Sequence, residues 1–336
     1  MIEPIKQFLS LSLSGTAIFL IVWILRRFTK KYFSKKWVYY SWLLVAFRLI
    51  LPVSFGYNIM NQVFRYIIGG RHVRPNGPVI IGDNVIIGNN VIVGNSNNLV
   101  EYVIFVVWVV VSGTLIIRKI TKYQSFSKYI SAGWKLVDEP EKLDILGQVC
   151  EDLNVNRLVE LHTNPLISSP VLMGILKPTI VLPHVQMNDE ALYYILLHEM
   201  THYKRKDLLY KWFIQLVICL HWFNPILYLF GREMNKDCEF SCDEAIIIRR
   251  TTSERMDYGE TLLTTFTSAG KYKETSIIVP FYEDLTEIKQ RLVAILTPCQ
   301  PSRGLRALEI ILSLLLISLV VILGVYRQEP FPGFNL

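Results

Sequence analysis

His198-Glu199-Met200-Thr201-His202 is an HExxH pattern that follows directly on the apolar run Ala191 to Leu197. On a helix, residues four apart share a face, so His198 and His202 would present two imidazoles to a single ion. Glu199 lies one residue round the same turn, where it can take a proton from a metal-activated water. The bland alternative is a pair of core or surface histidines flanking an ordinary helical glutamate. Context argues against it: Asn188 is a good N-cap, Asp189 and Glu190 suit a first turn, and Leu192, Ile195 and Leu196 recur at helical spacing. The chain has only six histidines, and two of them complete this pattern. The stretch predicts a helix that carries a catalytic zinc site.

A catalytic zinc commonly takes three protein ligands and keeps a fourth position for water. Downstream, Glu233, Asp237, Cys238, Glu239, Cys242, Asp243 and Glu244 all offer a suitable donor. Glu239 and Asp243 are four apart on a predicted helix, so Glu239 is expected to bind the metal and Asp243 to buttress the site from behind. Cys238 and Cys242 share that spacing and would give a closed Cys2His2 structural site, but one that leaves Glu199 without a role. Asp207 is read either as a group that orients part of the site or as a plain surface charge.

Around this centre the chain is apolar. Of 336 residues, 51% are hydrophobic and 19% charged, with a mean hydropathy of +0.34, and the excess is gathered in blocks. The net charge of +7 is no sign of nucleic-acid binding, because the basic residues sit at the ends of apolar blocks, as in the cytoplasmic loops of membrane proteins. The five cysteines, odd in number, argue against a disulfide framework and for a reducing compartment. Leu9 to Leu25 reads as a first span. Its flanking charges, Arg26, Arg27, Lys30, Lys31, Lys35 and Lys36, follow it, which speaks against a signal peptide and places the N-terminus outside. Further spans are expected at 38–55, 99–117 and 306–325, the last with its apolar stretch from Leu308 to Val325. Arg48, within the second, is either a functional intramembrane charge or an arginine snorkelling to the outer interface.

The domain plan is therefore a membrane region over 1–118, a cytoplasmic domain over 119–305, a fourth span and a short outer tail over 326–336. In the outer loop 56–98, Val79-Ile-Ile-Gly82, Val85-Ile-Ile-Gly88 and Val91-Ile-Val-Gly94 repeat every six residues. The copies are too few for a β-helix, so short strands joined by Asx/Gly turns are expected. The run Leu208 to Phe230 is apolar enough for another span. Lys211, Gln215, His221 and the Asn224-Pro225 breaker oppose that, and a crossing would part the third ligand from the histidines. It is read as a buried or interfacial helical hairpin turning near Asn224-Pro225. Upstream of the zinc helix, Val171 to Met173 and Thr179 to Leu182 have strand character. Thr179, Ile180 and Val181 are candidates for an edge strand that pairs with an extended peptide substrate, and equally for an ordinary core strand.

Four motifs in order carry a resemblance to a known family: His198-Glu-Met-Thr-His-Tyr-Lys-Arg-Lys-Asp207, the Ser-Pro-x-x-x-Gly-x-x-x-Pro-x-Ile-x-Leu-Pro stretch ending at Pro183, His221-Trp-Phe-Asn-Pro225 and Glu239-Phe-Ser-Cys-Asp-Glu244. Phe47-Arg-Leu-Ile-Leu-Pro52 adds to them. Together they resemble the BlaR/MecR-type antirepressor metallopeptidases over nearly the whole chain. The resemblance implies an α-helical integral membrane protein of four spans with an α+β, zincin-like (gluzincin) domain on the cytoplasmic side of a bacterial plasma membrane. It implies Zn2+ held by His198, His202 and Glu239, Glu199 as base, and regulatory cleavage of a BlaI/MecI-type repressor and of the chain itself. The expected partners are that protein substrate and the lipid bilayer, without direct nucleic-acid contact, and a homodimer is compatible with the reading. The antibiotic-sensing members carry a penicillin-binding domain after the last span, and this chain stops at Leu336, so β-lactam sensing by acylation is not expected of it. Two rival readings stand beside this one: a quality-control protease with the same chemistry, and a non-catalytic receptor whose zinc is structural.

Overall fold

The computed structural model describes residues 2–52, 59–60, 62–63, 79–81, 84–87, 90–93, 98–174, 177–269, 285–298 and 301–324. The chain is mostly helical. Helix α1 runs from Ile2 to Thr29 and α2 from Lys35 to Ile50. Three short strands follow, β1 (Val79–Ile81), β2 (Asn84–Ile87) and β3 (Asn90–Val93). They form an antiparallel meander in the order β1-β2-β3, so each six-residue repeat is one strand, as its Asx/Gly spacing predicts.

Helix α3 (Asn98–Gly133) is unbroken for 36 residues, about 54 Å at 1.5 Å per residue. It continues well past the expected end of the third span at Ile117. Its far end reaches the second, larger sheet: Ile130 packs with Ile167, Met173 and Val181, and Asn164 Nδ2 donates to the Ile130 carbonyl at 2.7 Å. Among the described residues, α1 (over Lys6–Thr29), α3 (over Tyr102–Gly133) and α10 (Arg303–Leu323) are long and apolar enough to cross a membrane. The second expected span appears as α2, whose 16 residues rise about 24 Å, short of a bilayer's roughly 30 Å core. Residues 53–58 at its expected outer end lie outside the described ones.

The second sheet has the order β4-β5-β7-β6, built from β4 (Lys135–Leu136), β5 (Glu160–Asn164), β6 (Val171–Met173) and β7 (Thr179–Pro183). Strand β7 pairs parallel with β5 and antiparallel with β6, and all five of its residues are buried. This corrects the expectation that Thr179, Ile180 and Val181 form a free edge. Both edges of β7 are already taken, so its backbone has no ladder left to offer a peptide; the edge is β6. Strand β6 ends at Gly174, where φ is +77° and an added Cβ would stand 2.0 Å from the Lys177 carbonyl oxygen. Backbone cannot yield there as a side chain can. Gly174→Ala should therefore cost about 1–3 kcal/mol, read as a lowered thermal midpoint of the purified chain; an unchanged midpoint would show that the turn relaxes freely.

Helix α4 (Pro140–Asp152), α5 (Asp189–Arg205), α8 (Thr252–Ala269) and α9 (Leu285–Leu296) join one hydrophobic core with this sheet. Their shared core includes Val149, Leu161, Ile180, Leu196, Met200, Tyr258 and Ile295. Helices α6 (Asp207–Leu220) and α7 (Ile226–Ile247) form the hairpin expected at Asn224-Pro225. Ile214, Val217, Leu227, Phe230 and Met234 of the hairpin pack against Phe19, Val22, Trp42 and Val45 of α1 and α2. At its tip, His221 Nε2 donates to the Leu49 carbonyl at 3.0 Å and its ring stacks on Phe8 with centroids 4.5 Å apart. Asn224 Nδ2 donates to Ser12 Oγ at 2.9 Å and Thr16 Oγ1 at 2.7 Å. Arg48 does not snorkel: it is 1% exposed and donates from Nε to Ser14 Oγ at 3.0 Å. Cys150, Cys219, Cys238 and Cys242 are free thiols.

Candidate metal centre

Helix α5 begins as its sequence predicts, with the Asn188 side chain accepting from the Ala191 amide at 2.9 Å and Asp189 and Glu190 in the first turn. It ends at Lys206, which adopts the left-handed conformation (φ 59°) before the chain enters α6 at Asp207. That bend turns the first carboxylate of α6 back on α5: Asp207 Oδ2 accepts from His202 Nδ1 at 2.7 Å. The side chain is 1% exposed, so Asp207 is an orienting group and not a surface charge.

His198 is fixed by a different chain of bonds. The Tyr258 hydroxyl donates to Asp243 Oδ1 at 2.6 Å, which leaves its oxygen to accept from His198 Nδ1 at 2.9 Å. Arg291 holds Asp243 from the other side, Nε to Oδ2 at 2.8 Å and Nη2 to Oδ1 at 2.9 Å. Asp243 thus supports the site through Tyr258. Sequence reasoning found Asp243 and missed Tyr258 and Arg291.

With both Nδ1 atoms serving as donors, both Nε2 atoms carry lone pairs. They stand 3.1 Å apart, and Glu239 Oε2 lies 3.4 Å from each. In the neutral rings, three partly buried acceptors therefore meet at one point. Tetrahedral zinc with bonds of about 2.0–2.1 Å requires ligand atoms about 3.3–3.4 Å apart. Two sides of the triangle have these dimensions and the Nε2–Nε2 side, at 3.1 Å, is slightly shorter, so the donor set fits the ion after a small outward shift of the rings. Lys211 Nζ faces the other Glu239 oxygen at 3.3 Å, and Arg291 Nη1 lies 3.8 Å from Oε2.

The other acids of α7 are engaged elsewhere. Glu233 and Asp237 pair with Arg26, the latter at 2.7 Å. Glu244 caps α2, accepting from Ser34 Oγ at 2.7 Å and from the Lys35 and Lys36 amides at 2.9 and 3.0 Å. The thiols stand behind the imidazoles: Cys242 Sγ is 3.7 Å from His198 Nδ1 and Cys238 Sγ 3.9 Å from His202 Nδ1. Cys242 with both histidines, and Cys238 with His202 and Asp207, do form looser donor groups within 4.8 Å. In each, however, the nearest imidazole nitrogen is already spent on Tyr258 or Asp207.

When no metal is supplied, such a cluster collects protons. Burial alone would lower His198, but the Cys242 sulfur and the Glu239 hydrogen bond lift its pKa to about 10. Burial would also lower His202, yet Cys242, Glu239 and Asp207 hold it well above the usual imidazole range. Glu239, which burial would raise, is held well below the usual carboxylate range by His202 and Lys211. Glu199 is half-buried and makes no side-chain hydrogen bond among the described residues. One turn back on its face of α5, Ile195 and Ala191 line a cleft of about 410 Å³, whose other walls include Met187, Glu190, Asp257 and Thr261.

The family model described as BlaR1 peptidase M56 matches residues 6–295. The chain belongs to this family. It is 27% identical over 252 residues to the regulatory protein BlaR1 of Bacillus licheniformis, covering 71% of this chain and 41% of the relative. It is 26% identical over 270 residues to the methicillin resistance mecR1 protein of Staphylococcus aureus, covering 77% and 46%. The chain spans less than half the length of these curated relatives. M56 membership makes it a member of a peptidase family, and three helices able to cross a bilayer place it in the membrane.

Proposed function

We propose that this M56 protein is a multi-pass zinc endopeptidase of the bacterial plasma membrane, acting in regulatory proteolysis on the cytoplasmic side. The observation that carries the reading is the triangle formed by His198 Nε2, His202 Nε2 and Glu239 Oε2, with sides of 3.1, 3.4 and 3.4 Å, close to the size a tetrahedral zinc needs. Asp207 and Tyr258 fix the two ring tautomers, as the outer partners of metal-bound histidines do. Zinc bound there would supply a Lewis acid and an activated water. Glu199 takes the proton of the attacking water and returns it to the leaving amine nitrogen. An extended substrate would pair with the free edge of β6, which lies against α5, and run on into the cleft beside Ile195. Basic residues after α1, at Arg26, Arg27, Lys30 and Lys31, support a cytoplasmic side for the loop between α1 and α2 and for the metal centre. In this topology α1, α2, α3 and α10 are the four spans, and α2 shares its crossing with the buried hairpin. The family resemblance supplies the substrate class, a BlaI/MecI-type repressor, and the relatives' names support a regulatory role.

The test is the metal itself. Full-length protein purified in detergent without chelator should carry about one zinc per chain, and a metal-free preparation that takes up none would overturn the reading. Loading should also depend on pH in a particular way. Zinc must displace the proton that metal-free His198 retains up to about pH 10, and one that His202 holds well above the usual imidazole range. Apparent affinity should therefore rise with pH throughout the neutral range, by about tenfold per displaced proton per pH unit. For ordinary imidazoles the dependence would flatten above about pH 6.5; chelator competition at pH 7, 8 and 9 distinguishes the two.

A further inference from the structure

Helix α2 does more than pack against the hairpin. Tyr39 of α2 is fully buried, and its hydroxyl donates to Asp207 Oδ1 at 2.9 Å. The second oxygen of the same carboxylate takes the His202 Nδ1 proton at 2.7 Å and faces Arg205 Nε at 3.3 Å. The Arg205 guanidinium in turn lies over the Tyr39 ring, 4.9 Å from its centroid. Asp207 is thus divided between a metal-centre histidine on one oxygen and a membrane helix on the other. One turn along the same face of α2, Trp42 Nε1 donates to Asp237 Oδ2 at 2.8 Å, two residues before Glu239. Helix α2 therefore grips the base of both hairpin helices at the level of the metal donors.

We propose that Tyr39 is a positioning residue of the metal centre, acting on His202 through Asp207. The inference rests on the zinc reading above. Without the hydroxyl, Asp207 Oδ1 would be a buried acceptor that has lost its donor, and the carboxylate would be free to turn away from His202. The seat of α2 against the hairpin then sets how well the imidazole faces the ion.

The experiment uses the full chain in detergent micelles and two deletions of a phenolic oxygen in the same pocket. Tyr210, whose ring lies 4.9 Å from that of Tyr39, has a hydroxyl without a hydrogen-bond partner among the described residues. Tyr39→Phe should weaken zinc binding by about 10- to 100-fold and shift the visible bands of the cobalt-substituted protein, whereas Tyr210→Phe should change neither. In an Asp207→Asn background the effect of Tyr39→Phe should disappear, because the path runs through that carboxylate. Wild-type zinc binding matched by Tyr39→Phe would overturn the inference alone, as would equal losses in the two phenylalanine variants. A wild-type chain that binds no zinc would overturn the peptidase reading and this inference with it.

Discussion

Glu199→Gln is expected to lower peptide-bond cleavage by about 10²–10⁴-fold, the usual contribution of a positioned acid–base group, while the protein keeps its zinc. The side chain is half-buried and points from the helix face that lines the cleft, whereas both imidazoles and Glu239 remain in place without it. Glutamine preserves shape and removes only the capacity to accept and return a proton. The comparison to make is between cells producing the wild type and cells producing Glu199→Gln, looking by proteomics for a fragment of a DNA-binding repressor or of the chain itself. A fragment that is equally abundant in both would remove Glu199 from the mechanism. Fragments drawn broadly from damaged membrane proteins would favour the quality-control reading.

Glu239→Gln should lose the metal, with affinity falling on the order of a hundredfold or more, beyond the 10–100-fold typical of outer partners. A neutral amide is a poorer ligand than the carboxylate oxygen that now lies 3.4 Å from both Nε2 atoms. The metal-free state is thereby favoured. Replacing Cys238 and Cys242 together by serine should leave zinc content unchanged, since both sulfurs approach the rings from the Nδ1 side. Elemental analysis of the two proteins decides between a catalytic site and a closed structural one. Loss of zinc confined to the cysteine variant would establish the latter and remove the peptidase mechanism.

Local chemistry explains which parts of the site could be read in advance. The helix of His198 and His202, its Asn188 cap and the hairpin turn at Asn224-Pro225 are short-range features, and each is present where spacing and turn propensity put it. Glu239 and Asp243 stand out in the sequence because two acids four apart on a helix are a recognisable pattern. Tyr258 and Tyr39 carry no pattern at all. The first meets His198 across 60 residues and the second meets Asp207 across 168, so only the packed fold brings them in. The misplaced edge strand has a similar cause: alternation shows that Thr179 to Val181 is extended but not that β6 folds back to cover it. Arg48 lay open between two readings because exposure, which separates snorkelling from burial, is a property of the assembled helices.

The hairpin has a mechanical consequence. Its tip, held at His221 by Leu49 and Phe8, leads at Ile226 into α7, a continuous helix that reaches Glu239 thirteen steps, about 20 Å, further on. A push on the distal rim of the helical bundle would be felt at the carboxylate as leverage, without a messenger passing between compartments.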